Sequence, residues 1–156
     1  MEMNRAIAYF KEKGLEDRIK IMEDSAASAL EAANVLNVDL GSIAKSLTFR
    51  TNDRAILIVM AGNARIDSKK FRHTFNVKSK MLEADAVEAY TGYQIGGVCP
   101  FNLATNKIDV YLDRSLEQSN NVYPGCGEAN ALVSLSLEEL KEHSNYLGWV
   151  DIGKDW

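Results

Sequence analysis

Residues 46–61 read SLTFRTNDRAILIVMA, and this stretch decides the class of fold. Residues 46–50 predict a strand, and residues 51–54 have the composition of a hairpin turn. Residues 55–61 are apolar and rich in β-branched side chains, as expected for a buried central strand. A hairpin pairs its strands antiparallel, so the sequence argues against a purely parallel, doubly wound sheet.

Outward from this hairpin, the chain alternates between predicted helices and short strands. Helices are predicted over residues 3–13, 28–37, 68–75, 83–91 and 136–143, with a helical turn at 39–44. Strands are predicted over residues 18–22, 107–112, 122–126 and 131–135. Helices interleaved with many short strands predict a mixed α/β class, and no pattern assigns a structure to the tail that ends at Trp156.

The length and composition predict one domain over residues 1–156. The chain is 46% hydrophobic and 26% charged, which are ordinary values for a globular protein. These values exclude a disordered chain, a collagen and a disulfide-knotted peptide. Two prolines and ten glycines leave no room for a flexible linker.

The net charge of −4 limits the partners that the chain can bind. An acidic chain is a poor free-standing binder of nucleic acid, so we expect no DNA partner. An RNA partner has to meet a local basic patch or be delivered by another protein. The longest apolar run, residues 55–61, is far too short for a membrane span, so no membrane partner is expected.

The cysteines and histidines predict neither a metal site nor a disulfide framework. Cys99, Cys126, His73 and His143 match no zinc-binding spacing, so no metal and no cofactor are expected. Free cysteines fit a reduced compartment, and the charged N-terminal residues do not resemble a signal peptide. The sequence therefore predicts a cytoplasmic protein.

The most glycine-rich stretch contains Gly96-Gly97-Val98-Cys99-Pro100. Paired glycines let a ligand approach bare backbone, and such a loop can direct amide N–H groups at a carbonyl oxygen or a phosphate. The alternative is an ordinary tight turn. The stretch is neither a P-loop nor a dinucleotide-binding motif, because the spacing that each requires is absent.

Lys45 and Cys99 are the side chains with the clearest chemical potential. Lys45 precedes an apolar strand, where its ammonium could hold a phosphate or polarise a carbonyl; the alternative is a lysine whose head lies in water. Cys99 could be a nucleophile activated by His73 or His143, or simply a small buried residue. No pair of carboxylates supports acid–base catalysis.

Taken in order, these segments resemble the YbaK/prolyl-tRNA synthetase-associated editing domains. The shared landmarks are the Ala-rich helix, the Lys45 segment, the apolar strand that ends at Gly62-Asn63, the glycine-rich loop, the strand at 108–113 and the pattern at 135–140. The resemblance covers residues 18–142. It implies a mixed, strongly curved β-sheet that approaches a barrel and is flanked by helices.

The resemblance also implies a set of site residues. Lys45 corresponds to the lysine of the family, and the segment from Gly96 to Pro100 corresponds to its GxxxP loop, in which Gly97 is assigned with Lys45 to catalysis. The residues implied to bind substrate are Ser46, Gly96, Val98, Cys99, Pro100, Phe101 and Gly127. This chain has Ser46 where threonine is usual, Cys99 where serine is usual, and Asn102 where glycine is usual.

The activity implied is hydrolysis of the ester of a mischarged aminoacyl-tRNA, with Cys- and Ala-tRNA(Pro) as the substrates typical of the family. An aminoacyl ester is already activated, so a water molecule, oriented by the 2′-hydroxyl of the terminal adenosine, could attack it without a catalytic triad. Backbone amides of the loop would hold the carbonyl, and Lys45 would bind the CCA end. The implied partners are aminoacyl-tRNA and a synthetase that delivers it. The alternatives are a non-catalytic binding module of the same fold and a hydrolase that uses Cys99.

Overall fold

Helices and short strands alternate along the chain in the computed structural model, which describes residues 4–23 and 28–155. The described α-helices are α1 (Arg5–Glu12), α2 (Ala29–Leu36), α3 (Ser68–Phe75), α4 (Ala84–Thr91) and α5 (Leu137–His143). The described strands are β1 (Ile19–Ile21), β2 (Ile43–Arg50), β3 (Ala55–Ala61), β4 (Ile108–Asp113), β5 (Asn121–Pro124), β6 (Ala131–Val133), β7 (Leu135–Ser136) and β8 (Gly148–Val150). None of the described helices is long and apolar enough to cross a membrane.

Six strands form one mixed sheet in the order β7-β5-β2-β3-β4-β8, and the sheet curls into a half-barrel. The predicted hairpin is confirmed: β2 and β3 pair antiparallel, and the N–H of Thr51 donates to the carbonyl of Arg54 at 3.0 Å in the turn. The pairs β2–β5, β3–β4 and β4–β8 are parallel, whereas β5–β7 is antiparallel. The predicted mixed, curved sheet with flanking helices is therefore confirmed.

The strand β3 lies at the centre of the core, and all seven of its residues are buried. Leu57 and Val59 pack in the same cluster as Phe10 of α1 and Leu140 of α5. Ile56 and Ile58 point to the opposite face of the sheet, where Phe71 of α3 joins their cluster. Because successive side chains of a strand point to opposite faces, both faces of β3 are covered.

Local signals in the sequence set the helix boundaries. The hydroxyl of Ser28 accepts from the N–H of Glu31 at the start of α2. The predicted capping box of α5 is complete, with reciprocal bonds between Ser136 and Glu139. Asp67 caps α3 by accepting from the N–H groups of Lys69 and Lys70.

The structure corrects two of the predicted elements and contains one strand that was not predicted. The helical turn predicted at 39–44 is a short 3-10 turn over Leu40–Ser42, because Ile43 and Ala44 pair with β5 and extend β2. The strand predicted at 131–135 is broken at Ser134, whose N–H donates to the carbonyl of Arg18. No prediction covered β8, whose three residues pair with β4. Residue 3 of the first predicted helix and Trp156 lie outside the described residues.

Candidate functional site

A cleft of about 310 Å³ opens at the edge of β2 that faces away from β3. Residues 43–48 of β2 form one wall. The other walls come from α2, from Met81 and Leu82, from Val87 of α4, from the glycine-rich loop, and from Gly125 and Leu132. The cleft lies where the sheet is incomplete, because β5 pairs with only Ile43 and Ala44 of β2.

Lys45 lies inside β2, not between a helical turn and a strand as predicted. Its Nζ donates to the carbonyl of Ala64 at 2.5 Å and to the carbonyl of Gly62 at 3.3 Å. Burial, together with the nearby positive charge of Arg65, lowers the pKa of the Lys45 ammonium. An ammonium has three N–H donors, so one donor is left after these two bonds.

The hydrogen-bond pattern of β2 shows which peptide groups face the cleft. The carbonyl of Ile43 accepts from the N–H of Gly62, so the odd-numbered residues of the strand bond to β3. On the other edge, the N–H of Arg50 donates to the carbonyl of Lys80, and the carbonyl of Thr48 accepts from the N–H of Leu82. The peptide groups of the even-numbered residues therefore point to the edge that forms the cleft.

Hydrogen bonding along this edge of β2 is interrupted at Ser46. Ala44 is paired with β5 on one side of it, and Thr48 is bonded to Leu82 on the other. The N–H and carbonyl of Ser46 point between these two contacts and have no hydrogen-bond partner among the described residues. Its Oγ is also buried, with no partner in the described part of the chain. Unsatisfied buried polar groups are costly, so Ser46 presents a place for polar atoms of a ligand.

The glycine-rich loop reaches the cleft through Gly96 and Val98. Gly96 has a φ of 97°, a conformation that favours glycine. Gly97 lies behind it, and its N–H already donates to the carbonyl of Gln94 at 2.9 Å. A Cβ at Gly97 would lie 2.5 Å from the carbonyl oxygen of Gly127. The close approach of Gly97 to Gly127 thus explains why a glycine is needed there, and the Gly97 amide is engaged within the loop.

Cys99 is buried in the core and does not line the cleft. Burial raises the pKa of its thiol to about 12, although N–H groups of Phe101 and Gly127 and the hydroxyl of Tyr93 lie against the sulfur. His143 bonds through Nδ1 to the hydroxyl of Tyr9 at 2.8 Å, and His73 is exposed on α3. A reactive cysteine needs a lowered pKa and access to substrate, and Cys99 has neither.

The structure thus separates the predicted site residues into two groups. Lys45, Ser46, Gly96 and Val98 come together in the cleft. The residues that lie behind or away from it are Gly97, Cys99, Pro100, Phe101 and Gly127. Among the described residues, no group of His, Cys, Asp and Glu side chains could hold a metal ion.

Sequence reasoning missed the apolar residues that complete the cleft. Met81 and Ile95 lie on its rim and are 56% and 65% exposed. Met81 is brought there by an isolated bridge to Phe49, a long-range contact that no local pattern indicates. The pair Met81-Leu82, apolar between Lys80 and Glu83, was the only signal of this wall.

Comparison with known proteins identifies the family: the chain belongs to the aminoacyl-tRNA editing domain family, which matches residues 23–143. The predicted resemblance is therefore confirmed. The uncharacterized protein YwhH of Bacillus subtilis (strain 168) is 43% identical over 157 aligned residues, which cover 100% of this chain and 99% of that protein.

Two further relatives carry functional names. EbsC of Enterococcus faecalis, a candidate Cys-tRNA(Pro)/Cys-tRNA(Cys) deacylase, is 28% identical over 76% of this chain and 73% of its own length. A solved structure of a candidate trans-editing enzyme for prolyl-tRNA synthetase superposes with a TM-score of 0.85. The two chains are 26% identical, and the superposition covers 96% of this chain and 95% of the other.

Proposed function

We propose that this protein is a trans-acting aminoacyl-tRNA deacylase that hydrolyses the ester of a mischarged tRNA. The single observation that carries the proposal is the peptide group of Ser46, which has no hydrogen-bond partner in the described part of the chain and faces the cleft that Lys45 also lines. Membership in the editing-domain family and the named activity of EbsC support it. Like that of the trans-editing relative, the substrate would be a tRNA charged elsewhere, and the delivering partner would be a synthetase.

The cleft can bind an aminoacyl ester along the edge of β2. The Ser46 N–H donates to the ester carbonyl and stabilises the oxyanion that forms on attack, and the Ser46 carbonyl accepts from the α-ammonium. Gly96 and Val98 close the opposite side. The third donor of Lys45 is directed at a phosphate of the CCA end, since its other two bonds hold the ammonium in place.

The reaction needs no protein nucleophile. A water molecule, oriented by the 2′-hydroxyl of the terminal adenosine, adds to the ester carbon, and the tetrahedral intermediate expels the 3′-oxygen of the ribose. The water loses one proton, and the departing 3′-oxygen gains one. The products are a free amino acid and an uncharged tRNA. A cysteine mechanism is disfavoured because Cys99 is buried away from the cleft.

The comparison with EbsC supports a proposal for the substrate. Cys- or Ala-tRNA(Pro) is the proposed substrate, because both are typical of the family that the sequence resembles and EbsC is named as a candidate deacylase of Cys-tRNA(Pro) and Cys-tRNA(Cys). The apolar wall of Leu82 and Val87 suits a small apolar side chain. One methylene changes discrimination by about 1–3 kcal/mol in such a pocket, so this wall would set the preference.

The test is hydrolysis of a panel of purified aminoacyl-tRNAs, followed as loss of the ester. We expect Cys- or Ala-tRNA(Pro) to be hydrolysed and Pro-tRNA(Pro) to be spared. Failure to hydrolyse any member of the panel above the rate without protein would overturn the proposal and favour a non-catalytic binding module.

The first variants to be measured in this assay are substitutions of Lys45. We expect Lys45→Ala to lower kcat/KM by about 10- to 100-fold, because a hydrogen bond to a charged group such as a phosphate contributes about 1.5–3 kcal/mol. Lys45→Arg should also be poor, because a planar guanidinium does not replace a compact ammonium held by two carbonyls. Lys107→Ala is the control, since Lys107 is exposed and does not line the cleft. Folded Lys45→Ala protein with the wild-type rate would remove Lys45 from the mechanism.

A further inference from the structure

The positive charge of this acidic chain is concentrated in one segment. Residues 65–80 contain six of the 18 Lys and Arg residues but only one of the 22 Asp and Glu residues. The segment therefore has a net charge of +5 in a chain whose net charge is −4. The rest of the molecule is strongly acidic, so this segment is a local site of attraction for a phosphate-rich partner.

Five of the six cations, which we call the basic surface, are exposed: Arg65, Lys69, Arg72, Lys78 and Lys80. In the described part of the chain, none of the five forms an ion pair with a carboxylate. Two carboxylates within or next to the segment have other partners. Asp67 caps α3, and Glu83 pairs with Arg50 at 2.5 Å. The basic surface is thus a set of charges with no internal function in the fold.

The core holds α3, which carries Lys69 and Arg72 of this surface, against the sheet. Phe71 packs on Phe49 with ring centroids 4.8 Å apart, and Phe75 packs on Tyr111 at 5.1 Å. These contacts fix the inner side of α3 to the sheet, so Lys69 and Arg72 remain on its outer side. A preorganised set of cations binds phosphates with a smaller loss of conformational entropy than a flexible tail would.

Both ends of the segment 65–80 lie next to the cleft. Arg65 is close enough to Lys45 to lower the pKa of its ammonium. At the other end, Lys80 immediately precedes Met81 on the rim of the cleft, and its carbonyl accepts from the N–H of Arg50. An RNA whose 3′ end enters the cleft would therefore pass its adjoining phosphates along α3.

We infer that the basic surface is the docking site for the phosphate backbone of the tRNA acceptor stem. The inference rests on the proposed function, which places the 3′ end of a tRNA in the cleft. The eight-residue helix α3 is about 12 Å long. A duplex carries phosphates on both strands along its whole length, so several of the exposed cations can contact phosphates at the same time. Contacts of this kind fix register and contribute affinity without reading the sequence.

The test compares two triple variants that change the net charge equally. The first is Lys69→Ala, Arg72→Ala and Lys78→Ala, which removes basic-surface charges that do not line the cleft. The control is Lys11→Ala, Lys20→Ala and Lys107→Ala, which removes three exposed cations elsewhere. The probe is a hairpin RNA with a tRNA acceptor stem and a CCA end, and the readout is its dissociation constant over a range of salt concentrations.

We expect the first variant to bind the hairpin about 10- to 100-fold more weakly at low salt. The slope of log K against log[salt] should become shallower by about 2 to 3, because each lost phosphate contact contributes about 0.9. The control should bind as the wild type does. Equal binding by both variants, or an equal loss in both, would overturn the docking site, and so would wild-type protein that does not bind the hairpin. If the first variant binds the hairpin as the wild type does but no longer binds a synthetase, the surface serves a protein partner and the RNA docking site is overturned.

A second readout separates this inference from the proposed function. An aminoacylated CCA trinucleotide lacks the stem, so the first variant should hydrolyse it at the wild-type rate while its KM for the full tRNA rises. Loss of trinucleotide hydrolysis in this variant would show that the residues act in the cleft and would overturn the docking role. Failure of wild-type protein to hydrolyse any ester would overturn the proposed function, whereas hairpin binding would still decide the docking site.

Discussion

At the scale of single residues, Gly97 shows how a loop motif can serve the fold. Its Cα lies so close to Gly127 that a Cβ would contact the Gly127 carbonyl oxygen at 2.5 Å and its carbonyl carbon at 2.7 Å. Both neighbours are backbone atoms, which cannot move aside as the end of a side chain can. The paired glycines allow the GxxxP loop to pack against the turn after β5 and to hold Gly96 and Val98 at the cleft.

Gly97→Ala should therefore destabilise the protein. The sequence alone predicts that Gly97→Ala lowers turnover more than it lowers stability. The contact with Gly127 adds a cost of overpacking, about 1–3 kcal/mol in the free energy of unfolding. Urea denaturation measures this cost. The control is Gly148→Ala, because a Cβ at Gly148 has no atom within 4 Å. Equal stability of the two variants would show that the loop does not depend on this close approach.

Cys99 separates the two chemical mechanisms. A thiol with a pKa of about 12 is ionised in on the order of one molecule in 10⁵ at pH 7, so it supplies almost no thiolate. We expect Cys99→Ser to retain most of the deacylase rate, because serine keeps a polar atom against the N–H groups of Phe101 and Gly127. Cys99→Ala should retain part of it. Two inactive but folded variants, together with a trapped thioester, would establish a cysteine nucleophile instead.

At the scale of elements, α5 is fixed to the rest of the fold by a charge contact. Glu139 accepts from the N–H of Ser136 in the capping box and from Nη1 of Arg18 at 2.8 Å. These hydrogen bonds favour the ionised carboxyl and lower the pKa of Glu139 to about 2. Arg18 directly precedes β1, so this contact joins the N-terminal part of the chain to α5.

The lowered pKa predicts how stability depends on pH. A carboxyl whose pKa is lower in the folded state than in the unfolded chain stabilises the fold fully at pH values above its unfolded-state pKa. This contribution is lost as the pH falls toward 2, the pKa in the folded state. Glu139→Gln should therefore lower the free energy of unfolding by about 1–2 kcal/mol at pH 7, less than the full pKa shift corresponds to, because Arg18 and Glu139 are partly exposed and solvent screens their charges. At pH 3 the difference from wild type should fall to roughly half. Urea denaturation at both pH values measures it.

Glu138→Gln is the matched control for this prediction. Glu138 lies in the same turn of α5, but its side chain is 83% exposed and pairs only with Lys141 among the described residues. We expect a change within about 0.5 kcal/mol at either pH, as is usual for exposed ion pairs. A loss that is the same for Glu139→Gln at pH 7 and pH 3 would show that the carboxylate charge does not stabilise α5.

The elements also show which parts of the fold the sequence could predict. The hairpin of β2 and β3 and the helices α3, α4 and α5 follow from local patterns, because their turns, caps and apolar faces lie within a few residues. The start of β2 and the whole of β8 do not follow. Both depend on pairing with strands that are distant in the sequence, β5 and β4, and tertiary contacts of this kind override local propensity.

At the scale of the whole molecule, the candidate site could be predicted only in part. The resemblance to editing domains led to Lys45, Ser46, Gly96 and Val98, which the fold does bring together. It did not show that the peptide group of Ser46 has no partner within residues 4–23 and 28–155, because this depends on where β5 ends and where Leu82 returns to β2. The extent of one domain over residues 1–156 and a cytoplasmic location stay predictions.

The measurement that tests the central claim most directly is the single-turnover deacylation rate of two variants at Ser46. Ser46→Pro removes the N–H that faces the cleft, and proline is tolerated at a strand edge where no ladder bond is lost. Ser46→Ala keeps the N–H and removes only the Oγ. The substrate is the aminoacyl-tRNA that wild-type protein hydrolyses fastest, and thermal unfolding confirms that both variants are folded.

Donation from the Ser46 N–H to the ester carbonyl predicts a clear difference between these variants. Ser46→Pro should lose about 10²–10³-fold in rate, the usual cost of removing one donor to an oxyanion, whereas Ser46→Ala should stay within about tenfold of wild type. A folded Ser46→Pro protein that is as active as Ser46→Ala would contradict the account, because the unpaired edge of β2 would then take no part in hydrolysis.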